Sequence, residues 1–77
     1  MELWIRSQSK ETLMKVTKVH ICDGVIFANG YTEFDERIGE YATKERAIEI
    51  LDEIQKLLKT AELNDDINVI VYQMPEN

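Results

Sequence analysis

Apolar and polar residues alternate over several short stretches in the first half of the chain, and a two-residue period predicts β-strands. The first stretch covers residues 2–7, where Leu3 and Ile5 share one face while Trp4 and Arg6 share the other. We therefore expect a strand with one apolar face directed to a core.

Residues 13–22 form a second predicted strand, rich in β-branched side chains, but their alternation contains a fault. Met14 and Val16 follow one phase, whereas Val19 and Ile21 follow the opposite phase. A strict period would leave half of them in water. We expect a β-bulge near Thr17-Lys18, which would return both halves to the core.

Two dipeptides with turn character divide the next segment. Asp23-Gly24 lies between two apolar runs, a strong signal for a type I′ hairpin, whose two central residues need positive φ. The flanking strands should then be antiparallel neighbours. Asn29-Gly30 offers a second such turn, and residues 37–41 are a short strand candidate.

The period changes from two to 3.6 residues after the last of these strands, which predicts an amphipathic helix from Lys44 to about Thr60. Thr43 supplies an N-cap hydroxyl. Residues 67–74 are apolar on both faces, as expected of a strand inside a sheet or covered on its second face, and Pro75 ends it. Along this helix, the positions expected to face the core are 47, 50, 51, 54, 57, 58 and 61.

These elements predict an α+β fold in the order β-β-β-β-α-β, made of a single mostly antiparallel β-sheet with one amphipathic helix packed on one face. We expect one domain over residues 1–77. A single helix covers only one face of such a sheet. The second face, which we expect to carry Trp4, Tyr41, Ile70 and Tyr72, must then lie in water or against another chain.

Composition narrows the possible functions. The 77 residues include nine Lys or Arg against fifteen Asp or Glu, so the formal charge is −6. With one Cys the chain forms no internal disulfide. Self-association is then the remaining source of extra stability for so small a domain. No apolar run approaches the ~20 residues of a membrane span, and the Met1-Glu2-Leu3 start lacks a cationic leader. We expect a cytoplasmic protein with no membrane partner.

Catalytic and metal-binding patterns are absent from the sequence. His20 and Cys22 lie two residues apart on a predicted strand, which is too far for a thiol–imidazole contact and supplies too few ligands for zinc. The acid pairs match neither a two-carboxylate hydrolase nor a calcium loop. We expect no enzyme, no cofactor and no bound metal. We leave open whether His20 and Cys22 have any role; the alternative for this pair is a metal ion shared between two copies of the chain.

The aromatic and cationic residues supply the candidate interface or ligand surface. In a homo-oligomer, cations at inter-subunit pockets would meet the phosphate of a small anionic, nucleotide-like ligand. Nucleic-acid binding through the sheet face is a further alternative, disfavoured by the −6 charge. The candidates are Trp4, Arg6, Lys18, Arg37, Tyr41 and Tyr72.

Three blocks of sequence carry a resemblance: LWIRSQ at residues 3–8, GEYATKERAIEILDEIQ at 39–55 and VYQMPE at 71–76. The chain resembles small uncharacterised proteins encoded in phages and prophages of Gram-positive bacteria. The resemblance implies a setting in the bacterial host cytosol and a host protein as partner. It transfers no activity and no site residue. We therefore expect a non-enzymatic acidic binding module that antagonises a host process or defence system by occlusion or sequestration.

Overall fold

A computed structural model describes all residues from 1 to 77. It confirms the α+β class, with one helix packed on a sheet. The chain forms six strands and one helix, in the order β1 (Glu2–Arg6), β2 (Leu13–Lys15), β3 (Lys18–Cys22), β4 (Val25–Asn29), β5 (Glu36–Glu40), α1 (Lys44–Glu62) and β6 (Val69–Gln73).

The strands are hydrogen-bonded as two three-stranded sheets, where the sequence predicted one. The first sheet has the order β2-β1-β6 and the second has the order β3-β4-β5. β6 runs parallel to β1, and the other pairings are antiparallel, as expected of a mostly antiparallel fold. The helix α1 connects β5 of the second sheet to β6, which returns the chain to the first sheet beside β1.

The predicted second strand passes from one sheet to the other at its phase fault. The amide of Val16 donates to the Leu3 carbonyl at 2.8 Å, whereas the amide of Thr17 donates to the Asn29 carbonyl at 2.9 Å. One residue thus belongs to the first sheet and the next to the second. The expected bulge is therefore wrong, because two strands replace one bulged strand. Each strand directs its own set of alternating apolar residues to the core.

Gln8 joins the two sheets at the far end of β1. Its backbone amide donates to the Ile38 carbonyl at 2.8 Å. Its side-chain Oε1 accepts from the Glu40 amide at 2.8 Å, and its Nε2 donates to the Glu40 carbonyl at 3.0 Å and to the Glu76 carbonyl at 2.7 Å. The sheets are thus connected on two sides and wrap around a common core.

The core lies between the inner faces of the sheets and the helix. Ala47, Ile50, Ile54 and Ala61 are the buried residues of α1, in agreement with its predicted apolar stripe, although Leu57 is exposed. Thr43 is the N-cap, as predicted, and its hydroxyl accepts from the Arg46 amide at 3.1 Å. The sheets contribute the fully buried side chains of Ile5, Ile26 and Ile38, and Met74 joins them.

The Asp23-Gly24 turn joins β3 to β4, as predicted, and Cys22 pairs with Val25 across it. The turn is not type I′, because Asp23 has a positive φ of 54° but Gly24 does not. Glycine is needed at position 24 for another reason: a Cβ there would overlap the carbonyl oxygen of Tyr41. The second predicted tight turn, at Asn29-Gly30, is replaced by a loop over residues 30–35 that leads to β5.

Candidate functional site

The first sheet has an uncovered side, which we call the outer face. Trp4 lies at its centre, in register with Lys15 on β2 and with Val71 on β6. Val71 is 63% exposed and Val69 is 51% exposed, so both valines present apolar surface to solvent. By strand alternation the outer face comprises Glu2, Trp4, Arg6, Leu13, Lys15, Val69, Val71 and Gln73.

β6 is an edge strand, and its backbone has a free side. Asn68 accepts from the Glu2 amide at 2.8 Å, and the Met74 amide donates to Arg6 at 3.0 Å, so even-numbered residues of this segment bond to β1. Because hydrogen-bonding direction alternates along a strand, the amides and carbonyls of Val69, Val71 and Gln73 point away from β1. No strand lies on that side. We expected a strand inside a sheet or one covered on its second face. Both alternatives are wrong for the single chain, because β6 lies at the edge of its sheet and Val69 and Val71 are exposed.

This edge lacks the features that usually prevent strands from pairing with other chains. Residues 67–74 contain no charged side chain and no proline. The other strands that border the sheets do carry protection. β2 is only three residues long and ends in Lys15, β3 begins with Lys18, and β5 carries Glu36, Arg37 and Glu40.

Charged side chains form a rim around Trp4. The Lys15 ammonium lies 2.8 Å from the Glu2 carboxylate, and the Trp4 indole N–H donates to the same carboxylate at 3.5 Å. The hydrogen bond from Lys15, followed by that from Trp4, lowers the pKa of Glu2, and the hydrogen bond to Glu2 raises the pKa of Lys15. The outer face thus has an apolar centre and a polar rim, the arrangement found at protein interfaces.

Both tyrosines that we expected on the uncovered face lie on the inner side of the fold. Tyr41 is 6% exposed, packs in the core, and donates its hydroxyl to the Pro75 carbonyl at 2.8 Å. Tyr72 is in register with Ile5 and therefore shares its inner face, where its hydroxyl donates to Glu53 at 2.5 Å. Ile70 lies on that face as well. The expectation that Tyr41, Ile70 and Tyr72 lie on the uncovered face is therefore wrong, and only Trp4 lies there.

Alkaline titration should reveal the inner position of Tyr72. Burial, and then the hydrogen bond to Glu53, raises the pKa of Tyr72 well above its usual value, and burial raises that of Tyr41. Because both pKa values are higher in the folded state, their contribution to stability is full below about pH 10 and is lost as the pH rises further. The difference in phenolate absorbance between the wild type and Tyr72→Phe reports the ionisation of Tyr72. In the folded protein we expect this difference to develop only above about pH 10, whereas in urea it should develop near pH 10.

The three cationic candidates do not converge on one site. Arg6 lies on the outer face and donates its Nε to the Lys10 carbonyl at 2.9 Å. Arg37 lines a small polar cavity of about 160 Å³, but its guanidinium lies 3.6 Å from the Glu40 carboxylate, so its charge is already paired. Lys18 lines a different cavity, beside α1.

That second cavity is an apolar groove of about 280 Å³ between α1 and the point where the chain changes sheets. No aromatic side chain lines it, so the groove offers no ring on which a nucleobase could stack. Lys18 is its cationic member and Gln55 is a polar neighbour. The apolar lining consists of Leu3, Val16, Val19, Leu51, Ile54 and Leu58.

His20 and Cys22 do not form a reactive pair, because no hydrogen bond joins them. The His20 ring stacks on Phe27 with centroids 5.4 Å apart, and its Nε2 lies 3.5 Å from the Asp35 carboxylate. Cys22 is an exposed free thiol at the end of β3. No three His, Cys, Asp or Glu side chains converge as ligands of a metal ion.

Comparison of the chain with family models, with curated proteins and with solved structures gives no match. The helix α1 lacks the combination of length and apolar character that a membrane-spanning helix needs. The geometry of the chain itself therefore carries the functional argument, and its most distinctive feature is the outer face with the uncharged free edge of β6.

Proposed function

We propose that this chain is a non-enzymatic protein-interaction module that binds through the outer face of its first sheet. One observation carries the proposal: an uncharged edge strand exposes Val69 and Val71 beside Trp4. Exposed sheet edges bind other chains through their backbone groups, while neighbouring side chains give specificity. Tryptophan at the centre of such a patch is typical of residues that dominate binding energy.

The cellular role that we propose rests on the resemblance to phage and prophage proteins. In the cytosol of a bacterial host, a small acidic module would act by occluding or sequestering a host component, including one used in defence. The formal charge of −6 favours a partner with a basic surface. A host protein bound in this way would require no catalytic group of this chain.

A pair of matched variants tests the proposal. Trp4→Glu places a charge at the centre of the outer face, whereas Phe34→Glu places the same charge on a side chain that is 77% exposed in the β4–β5 loop. We expect the wild type and Phe34→Glu to self-associate in light scattering or to retain the same host protein from a bacterial lysate. Trp4→Glu should lose that association while keeping its far-ultraviolet circular dichroism.

The proposal fails if the wild type neither self-associates nor retains a protein, or if Trp4→Glu behaves like the wild type in both assays. A loss shared by Phe34→Glu would also contradict it, because the effect would then follow from added charge and not from the position of Trp4.

The apolar groove supports a second candidate, the binding of a small anionic ligand with an aliphatic body. Lys18 would meet the anionic group, and the leucines of the lining would meet the body. Thermal-shift screening against fatty acids and nucleotides tests it, since ligand at 100 times its Kd adds about 2.7 kcal/mol of stability. A flat screen removes this candidate. Nucleic-acid binding through the sheet ranks third, behind ligand binding, because of the net negative charge.

A further inference from the structure

We propose that the free edge of β6, which borders the outer face, binds a second copy of this chain, and that the two copies join β6 to β6 in antiparallel fashion about a twofold axis through Val71. The inference rests on the proposed function, because it names the partner of the same surface. It predicts a continuous six-stranded sheet with the order β2-β1-β6-β6-β1-β2.

The backbone of β6 is complementary to itself. The amides and carbonyls of Val69, Val71 and Gln73 point to the free side, as shown by the bonds that their neighbours make to β1. In an antiparallel pair centred on Val71, this residue exchanges two hydrogen bonds with its own copy. Val69 then bonds to Gln73 of the second copy, and Gln73 bonds to Val69. Every free backbone group of the strand finds a partner.

Other registers satisfy fewer groups. An axis at Tyr72 would place Val69 opposite Pro75, which has no amide hydrogen. An axis at Ile70 would place Gln73 opposite Ile67, which lies outside β6 and whose amide already donates to Asn64 at 3.1 Å. The register centred on Val71 is therefore the one that pairs all five residues of the strand.

The side chains next to the edge fit the same arrangement. On the outer face, Val71 would contact Val71 of the second copy, and the row would continue on both sides to Trp4. On the inner face, Ile70 would lie opposite Tyr72 of the second copy. Dimerisation thus extends an apolar row across the interface, and apolar cross-strand pairs of this kind stabilise a sheet.

Charge favours the antiparallel direction. Asp65 and Asp66 precede β6, whereas Arg6 lies in register with Gln73 at the other end of the strand. Lys10 lies near that end too, 3.8 Å from Glu76. An antiparallel pair would bring the acidic turn of each copy towards the end of the other copy that carries Arg6 and Lys10. Asp66 would also come towards Glu76 there, the carboxylate that lies beside Lys10. No like charges face each other along the strand, because residues 67–74 are uncharged.

Cysteine cross-linking tests the register, in a Cys22→Ser background that removes the exposed native thiol. In a hydrogen-bonded antiparallel pair, facing Cα atoms lie about 5.5 Å apart, within the roughly 4.4–6.8 Å of disulfides. We expect Val71→Cys to form a covalent dimer on mild oxidation. In this register the two copies of residue 69 lie four residues apart along the sheet, at about 3.4 Å per residue. Val69→Cys is therefore the matched control. It should stay uncross-linked.

The molar mass in solution provides a second arm that does not depend on thiols. We expect the wild type to show twice the 9.0 kDa of the single chain at high micromolar concentration. Val71→Lys, which places two ammonium groups across the axis, should show about a twofold lower mass. Leu13→Lys is the control, because Leu13 is 55% exposed on the same outer face but on the opposite edge strand. It should remain dimeric.

A wild-type monomer overturns this inference. If that monomer still retains a host protein in a Trp4-dependent manner, the proposed function stands without the dimer. A dimer in which Val71→Cys does not cross-link, or in which Val69→Cys cross-links equally well, also overturns the β6 pairing. The failure of both association and capture overturns the inference and the proposed function together.

Discussion

Replacing Ile5 with alanine is expected to leave a large fraction of the protein unfolded at room temperature. Ile5 is 0% exposed and lies on β1, the central strand of the first sheet. Such a truncation costs about 2–5 kcal/mol, through lost burial and the cavity left behind. A single core in a chain of this size supplies roughly 3–5 kcal/mol in total. The loss is therefore comparable to the whole stability, and urea denaturation of both proteins measures it.

Ile48→Ala is the matched control, because it removes the same atoms from a side chain of α1 that is 41% exposed. We expect it to change the free energy of unfolding by no more than about 0.5 kcal/mol, as is usual for surface positions. Equal losses in the two variants would contradict the assignment of the core to the inner faces of the sheets.

Gly24→Ala is expected to cause the second large loss, about 1–3 kcal/mol, the range for overpacking. The new Cβ would overlap the Tyr41 carbonyl oxygen. Because this oxygen belongs to the backbone, a change of side-chain rotamer cannot relieve the overlap. The amide of Tyr41 also donates to the Gly24 carbonyl at 2.8 Å, so both chain segments are held together there. Relieving the overlap would shift the segment that carries the core ring of Tyr41 and the helix cap at Thr43.

Asp23→Gly is the control for this turn. Position 23 has a φ of 54°, which glycine adopts without steric cost, so this change should alter stability by less than about 1 kcal/mol. Chemical denaturation of both variants compares them. If Gly24→Ala proved as stable as the wild type, the close approach between the hairpin turn and the start of the helix would be contradicted.

The features of the fold that depend on local sequence could be predicted. Turn chemistry and periodicity involve residues that are close together in the sequence. They predict the Asp23-Gly24 hairpin, the helix with its Thr43 cap and the α+β class. The division into two sheets could not be predicted, because a phase fault near residue 17 fits both a bulge and a change of sheet. The hydrogen bond from Thr17 to Asn29 that decides between them joins distant parts of the chain.

The positions of the candidate residues could be predicted only in part, for a similar reason. Apolar residues on both faces of residues 67–74 indicated a covered strand, yet the same pattern suits an edge strand that pairs with another chain. The alternation within β1 is local and predicts the face of Trp4 correctly. The face of Tyr72 could not be predicted, because it depends on the register of β6 with β1. Val69 and Val71 were not singled out, although the absence of charge around them was visible in the sequence.

Amide hydrogen exchange in the wild-type chain, followed as a function of protein concentration, tests the central claim most directly. If two copies pair through β6, the amides of Val69, Val71 and Gln73 should become more protected as the concentration rises. The amides of Leu13 and Lys15 on the opposite edge strand should not change. Exchange at Val69, Val71 and Gln73 that stays as fast as that of unbonded amides at every concentration would contradict the claim.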